Sequence, residues 1–309
     1  MSPPNVIVFG PTGGVGSSTA LTAHLTGARV SLAMRDPSKP IPALTGPHPT
    51  AFTRVQADLT DPASVRAAVT ATAAKHAFIY LTFGTADNMA GAVTALKDAG
   101  VEFVVFLSSS GIRGEARDVQ PAEFISWQHA RVEMVLEEVF GAGGYVAVRP
   151  GYFATNLLQY REQVAKGGVV RMPYPGAPFD FVVPEDIGRV CGNLLVKGAQ
   201  GAKGVVTLYG PQLVPQGEVL KAVGKALGKE LEVEGFADDE EAVKFVMGNG
   251  LPEAGARFLV RAFKDSAEGR DVPDAREREE AVANILKYGG QEATTVDKWV
   301  EAISGKFAE

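Results

Sequence analysis

Apolar positions along the chain follow two rhythms that alternate regularly through its first half. Residues 5–9 form an uninterrupted apolar run rich in β-branched side chains and bounded by Pro4 and Gly10, which predicts a buried strand. Similar short runs recur at 28–34, 52–55, 77–82, 102–107 and 145–148. Between them, residues 18–25, 63–74, 88–100 and 123–140 have the spacing of helices, and Gly27, Gly100 and Gly141 stop three of these. Asp61 before Pro62 is a helix N-cap with proline at the first helical position. This alternation of strands and helices predicts an α/β fold with a doubly wound parallel sheet and right-handed crossovers.

The rhythm loosens afterwards. Residues 169–179 are proline-rich and aromatic and suit a loop bordering a pocket. Pro184-Glu185-Asp186 opens a helix whose Ile187, Val190, Cys191, Leu194 and Leu195 recur at helical spacing, so Cys191 is expected to pack in a core and not to react. One more strand is expected at 204–209. Helices then dominate at 215–227, 239–248, 252–265, 275–288 and 295–303, with a short strand near 231–233. The expected organisation is a dinucleotide-binding domain over 1–150, with 184–210 returning to it. Residues 151–183 and 211–309 make a smaller, mostly helical substrate lobe.

Composition narrows the function classes. The 309 residues are 46% hydrophobic and 21% charged, ordinary for a chain that buries a core. A net charge of -6 argues against a nucleic-acid surface built on bulk positive charge. The single cysteine suits a reducing compartment. With a strand by residue 5 there is no room for a secretory leader, and no apolar run nears the roughly 20 residues of a membrane span. A cytoplasmic protein without membrane or nucleic-acid partners is expected. The four histidines, at 24, 48, 76 and 129, are scattered, and no metal site is expected.

The candidate chemistry begins after the first strand. Gly10, Gly13 and Gly16 form a Gly-x-x-Gly-x-x-Gly turn leading into a helix start, where unpaired N–H groups face outward and a pyrophosphate can approach the backbone. Thr12, Gly14 and Val15 complete that cofactor loop. About 20 residues further on, a dinucleotide fold tells NAD from NADP at the end of its second strand. Arg35 stands there with Lys39 nearby, favouring the 2′-phosphate of NADP(H), while Asp36 is one residue from the position of a ribose-binding acid. Asp58 and Leu59 follow the third strand, where they could touch the adenine, and Thr82, Phe83 and Gly84 end the fourth strand at the cofactor crevice. Ser108, Ser109 and Ser110 follow the fifth strand, placed either to meet ligands or to cap a turn.

These elements together resemble the NmrA-like branch of the atypical short-chain dehydrogenase/reductase superfamily. The glycine turn, Arg35-Asp-Pro-Ser-Lys39, Asp58-Leu59 and Ser108-Ser-Ser-Gly111 carry the resemblance, with Arg149-Pro-Gly-Tyr-Phe-Ala-Thr-Asn156-Leu-Leu, Pro184-Glu-Asp186-Ile-Gly188 and Thr294-Thr-Val-Asp-Lys-Trp299-Val. The resemblance implies a Rossmann lobe binding NADP and a helical lobe over the substrate. It also implies a catalytic serine after the fifth strand, matched by Ser109 or Ser110, and Tyr-x-x-x-Lys on the next helix. That pair is missing. One register gives Trp127 and Arg131; another puts His129 at a lysine position and Glu133 at its glutamate partner. A helix turns about 100° per residue, so the two registers cannot both face the crevice. His129 is preferred, because its register also aligns Glu133 and Arg149-Pro-Gly; Arg131 remains the charge-stabilising alternative. Asn88, Phe153, Asn156, Tyr160 and Tyr174 are expected to line the pocket. The expected function is NADPH-dependent reduction of a small, largely apolar carbonyl or unsaturated compound by a monomer or homodimer. The alternatives are an NADP(H) sensor with a protein partner, or a non-redox isomerase or cyclase on the same fold.

Overall fold

The computed structural model describes residues 3–45, 51–270 and 273–308; His48 lies outside the described residues. The first half runs β1 (Asn5–Phe9), α1 (Gly14–Leu25), β2 (Arg29–Met34), β3 (Phe52–Gln56), α2 (Pro62–Thr72), β4 (His76–Tyr80), α3 (Ala90–Asp98), β5 (Phe103–Leu107), α4 (Phe124–Phe140) and β6 (Tyr145–Pro150). Asp61 caps α2 by accepting from the Ala63 N–H, with Pro62 in the first turn. The second half adds α5 (Arg161–Lys166), β7 (Gly168–Met172), β8 (Pro178–Phe179), α6 (Pro184–Lys197), β9 (Val205–Leu208), β10 (Val214–Pro215) and α7 (Gln216–Ala226). It closes with β11 (Leu231–Gly235), α8 (Asp239–Gly248), α9 (Glu253–Ala267), α10 (Ala275–Gly289) and α11 (Val296–Ile303).

Seven strands form one sheet in the order β3-β2-β1-β4-β5-β6-β9, every pair parallel. The order reverses between β1 and β4, and ligands of such sheets sit at that switch point, beyond the carboxyl ends of the strands. Successive side chains of a strand point to opposite faces, which explains the continuous apolar runs. Val6 and Val8 enter the core beneath α1, α6 and α10, while Ile7 and Phe9 enter the one beneath α2, α3 and α4. Cys191 lies fully buried in the first of these, and burial pushes its thiol pKa well up. A Cβ on Gly188 or Gly192 would run into Ser18 or Thr22, so these two glycines let α6 press against α1.

The second lobe differs from the sequence reading chiefly in its first part, where α5 and the short β8–β10 pair were not expected. Residues 169–179 were expected as loop, yet β7 pairs in parallel with β11, Val170 opposite Val233. The partner strand lies some sixty positions away, so no local pattern announces the pairing. This lobe has its own core, including Leu157, Tyr160, Met172, Trp299 and Phe307. Helix α10 leaves that lobe, and its Ile285 and Tyr288 join Val190 and Leu194 beside the sheet. Among the described residues no helix is long and apolar enough to cross a membrane.

Candidate functional site

The glycine turn has the form a dinucleotide requires. Gly10 sits at φ +67, a left-handed conformation that glycine adopts without steric cost. Gly13 caps α1 in an extended conformation with no side-chain hydrogen bond, so the first-turn N–H groups of the helix are left for an anion. A Cβ on Gly16 would collide with the carbonyl oxygen of Gly10, which locks helix to strand at this spacing. Thr12, Gly13 and Gly14 are exposed, and Val15 is buried beneath them.

The adjoining strand ends are already organised. The Asp36 carboxylate accepts from the Ser38 N–H at 2.9 Å and its hydroxyl at 2.6 Å, and these bonds hold its pKa below the ordinary value. Asp36 is therefore engaged in its own turn, while Arg35 is exposed beside it. Arg54 donates to the Pro37 and Lys39 carbonyls at 2.8 Å each, bracing the loop that carries Lys39. Asp58 likewise closes on Thr60, accepting from its N–H at 2.9 Å and its hydroxyl at 2.8 Å. Leu59, expected at the adenine, is 5% exposed and packs in the sheet core. Tyr80 was not anticipated. Its ring covers Gly10, where a Cβ would come within 2.5 Å of Cε1, and burial raises its pKa in a field shared with Arg35 and Asp58. An aromatic residue ending β4 was the available signal.

Beyond β5 the three serines take different roles. Ser108 is buried and donates to Glu133 at 2.5 Å. Arg149, at the end of β6, meets the same carboxylate with two nitrogens, Nε to Oε1 at 3.0 Å and Nη2 to Oε2 at 2.6 Å. Its third nitrogen donates to the Ile112 and Gly114 carbonyls, at 3.2 and 3.0 Å. This network fixes the rotation of α4. Ser109 Oγ accepts from the Gly111 N–H at 3.2 Å, and Ser110 is tied through its backbone to Pro150 at 3.0 Å.

A cavity of about 740 Å³ opens beside this network, between the strand ends and the second lobe. Its walls include Tyr80, Phe83, all three serines, His129, Phe153 and Asn156. His129 lies one helical turn before Glu133, so the ion pair that turns Glu133 inward also turns His129 toward the cavity. Its Nδ1 lies 2.8 Å from the Ile125 carbonyl, an arrangement that protonates Nδ1 and leaves Nε2 as the second ring position. Burial lowers the His129 pKa, more than the Ile125 carbonyl and Glu133 raise it. The ring packs edge-on to Phe83, with centroids 6.5 Å apart.

Other expected residues stand elsewhere. Arg131 lies over the Trp127 ring at 5.9 Å and away from the cavity wall, as its opposite helix face requires. Tyr160 is 1% exposed and stacks on Phe245 in the second-lobe core. Tyr174 hydrogen-bonds to Asp239 outside the cavity lining. Asn88 at φ +51 belongs to the turn that starts α3 and does not reach the cavity wall, while Thr82 and Gly84, expected at the cofactor crevice, follow the end of β4. Conversely, Arg113, Tyr152, Phe179, Asp180, Tyr209 and Arg278 do line it. They come from remote segments; Tyr152 lies within a motif read from the sequence, and Phe179 within the aromatic stretch expected to border a pocket. Among the described residues no cluster of His, Cys, Asp or Glu could hold a metal ion.

Known proteins resemble the chain over between half and nearly all of its length. A curated relative from Gibberella fujikuroi, described as nitrogen metabolite regulation-like protein bik4, is 37% identical over 96% of this chain and 95% of its own. An NAD(P)H azoreductase of Xenophilus azovorans is 31% identical over 53% of this chain and 54% of its own. Among solved structures, an NADPH-dependent quinone oxidoreductase from Escherichia coli, complexed with NADPH, superposes with a TM-score of 0.73 at 17% identity. That superposition covers 96% of this chain and 99% of the other. The model of the NmrA-like family matches residues 3–287, and the chain belongs to that family.

Proposed function

We propose that the chain is an NADPH-dependent reductase of a small, largely apolar carbonyl or unsaturated compound. The observation that carries this reading is that Tyr80 joins two places: its ring lies against Gly10 of the glycine turn, and it also lines the cavity walled by aromatic side chains, His129 and Ser109. The azoreductase relative and the NADPH-bound structural neighbour support the reading.

The α1 N-terminus and the glycine turn would bind the pyrophosphate, and exposed Arg35 and Lys39 the 2′-phosphate. NADPH, when bound, supplies a hydride to the substrate. The substrate then needs a proton, and His129 is the titratable side chain on the cavity wall nearest the expected proton-donor register. With Nδ1 held by the Ile125 carbonyl, Nε2 is the position that takes a proton from solvent and passes it on. Ser109 would orient the substrate oxygen. Ser108 and Glu133 hold the wall in place and are positioning residues.

A second reading, an NADP(H) sensor, is favoured by the description of the 37% identical relative and by Trp127 at the position where one register would put tyrosine. Following NADPH oxidation with a panel of quinones, ketones and enones separates the two. The reductase reading expects turnover with at least one of them. Tight NADP binding without turnover on any member would overturn it.

A further inference from the structure

One carboxylate in the cavity has no part in the chemistry above. Asp180 follows β8 and lines the cavity wall. Its Oδ1 accepts from the Tyr152 N–H at 3.1 Å and its Oδ2 from the Gly210 N–H at 3.2 Å. Two glycines clear the space for it. A Cβ on Gly151 would strike the carboxylate, and one on Gly210 would strike the Asp180 backbone. A carboxylate offers about four lone-pair directions, so two backbone donors leave acceptor capacity on the cavity side. Desolvation raises its pKa to about 6, partly countered by the backbone N–H groups of Tyr152, Gly210 and Asp180 itself and by Arg278.

The surroundings define what such a group can recognise. Arg278 donates to the Gly210 carbonyl at 3.4 Å, and Arg113 pairs with Glu277 at 3.8 Å. Two cations and two anions thus balance around this end of the cavity, which favours a neutral ligand over an ammonium or a second carboxylate. Tyr209 adds a hydroxyl that stays neutral, its pKa raised to about 12 chiefly by burial. The neighbouring walls are flat and aromatic. Tyr152 stacks on Phe179 with centroids 4.3 Å apart, and Phe263 meets Phe179 edge-on at 5.5 Å.

We propose that Asp180 is a specificity residue for a neutral aromatic hydroxyl, whose O–H donates to the carboxylate while its ring lies against Tyr152, Phe179 and Phe263. The inference rests on the reading of this cavity as the substrate cavity, and it narrows the substrate to flat aromatic compounds carrying a phenolic group.

Binding of two non-reducible probes to the full chain saturated with NADP+ tests it, by calorimetric titration of 2-naphthol and 2-methoxynaphthalene. The methyl ether is the more apolar compound, so burial alone would favour it. A hydrogen bond to a charged acceptor should reverse that order and make 2-naphthol bind about tenfold tighter, or more, at pH 8. The preference should fall to within about twofold in Asp180→Asn. In the wild type it should also shrink at pH 5, where Asp180 is protonated beside Arg278, Tyr209 and the two backbone donors. If Asp180→Asn does not fold, the pH series on the wild type decides. Equal affinities at pH 8, a preference that survives in folded Asp180→Asn, or one that does not change with pH would overturn the proposal. Because neither probe is reduced, a protein that turns over nothing can still pass this test, and an active reductase can still fail it.

Discussion

Glu133 holds Arg149 in a two-point grip, 3.0 Å from Nε and 2.6 Å from Nη2, with both side chains almost closed to solvent. The pair ties the middle of α4 to the end of β6, and the Ser108 hydroxyl completes it from β5. Three elements of the cavity rim therefore share one carboxylate. Glu133→Ala leaves a buried guanidinium without its counter-charge, and such a loss costs about 3–5 kcal/mol. A drop of that size should appear in urea unfolding of the variant, whereas an exposed pair such as Arg66–Asp98 should yield under about 1 kcal/mol when broken.

The cofactor preference is expected to lie in Arg35. A charged hydrogen bond to the 2′-phosphate contributes about 1.5–3 kcal/mol, or roughly 10–150-fold in affinity. Arg35→Ala should lose that factor for NADP and leave NAD binding nearly unchanged. Fluorescence titrations of both nucleotides against both proteins measure it, and equal affinities in the wild type would remove Arg35 from the site.

Proton delivery by His129 predicts a loss of roughly 10²–10⁴-fold in turnover for His129→Ala, with NADPH affinity retained. Unchanged turnover would move the role to Ser109, bound water or the substrate itself. The pH profile has a definite sign. Delivery needs the imidazolium, and burial lowers the His129 pKa below the ordinary 6.5. Turnover should therefore rise as pH falls through the region below 6.5, and His129→Ala should flatten that limb.

The same shift has a consequence for stability. A histidine whose folded pKa is depressed adds stability that is fully present above its unfolded pKa near 6.5 and lost as pH falls toward the folded value. Asp180 acts in the opposite sense. Its pKa is raised to about 6, so its ionisation weakens the fold as pH rises from about 4 through 6. Urea midpoints between pH 4 and 8 should show the His129 contribution disappear in His129→Ala.

Gly16→Ala places a Cβ against the Gly10 carbonyl oxygen. Overpacking of this kind typically costs about 1–3 kcal/mol, and displacement of the turn should weaken NADP binding as well. Thermal unfolding with and without NADP reads both effects. A variant as stable and as tightly binding as the wild type would mean that the turn shifts without penalty.

The sequence made the sheet legible because each central strand is buried on both faces and so reads as a continuous apolar run; Val6 through Phe9 is the clearest case. The glycine turn was legible for a related reason, since a missing Cβ is visible in the residue type itself. His129 could be placed only through Glu133 and Arg149, whose pairing turns α4. The cavity wall was harder to read. Tyr160 is chemically suited to a pocket but is sealed in the second-lobe core, and no local pattern distinguishes these two fates for a tyrosine. Asp180 and Arg278 meet through folding across nearly a hundred residues, and their composition gives no periodic signal. Leu59 follows the general rule that an apolar residue at a strand end is buried unless something uncovers it.

The route of the chain also limits how this protein can be rebuilt. After β9 it leaves the sheet, adds further helices to the second lobe, and comes back to lay Ile285 and Tyr288 beside Val190. It then departs again so that Trp299 and Phe307 can finish that lobe. Neither half is a cassette. Exchange of cavities between relatives by swapping a single contiguous block would sever α10 from its bed or strip the second lobe of its closing aromatic residues. Chimeras would have to be stitched at several crossings at once, and variation in what the cavity accepts is more readily reached by point changes on its wall.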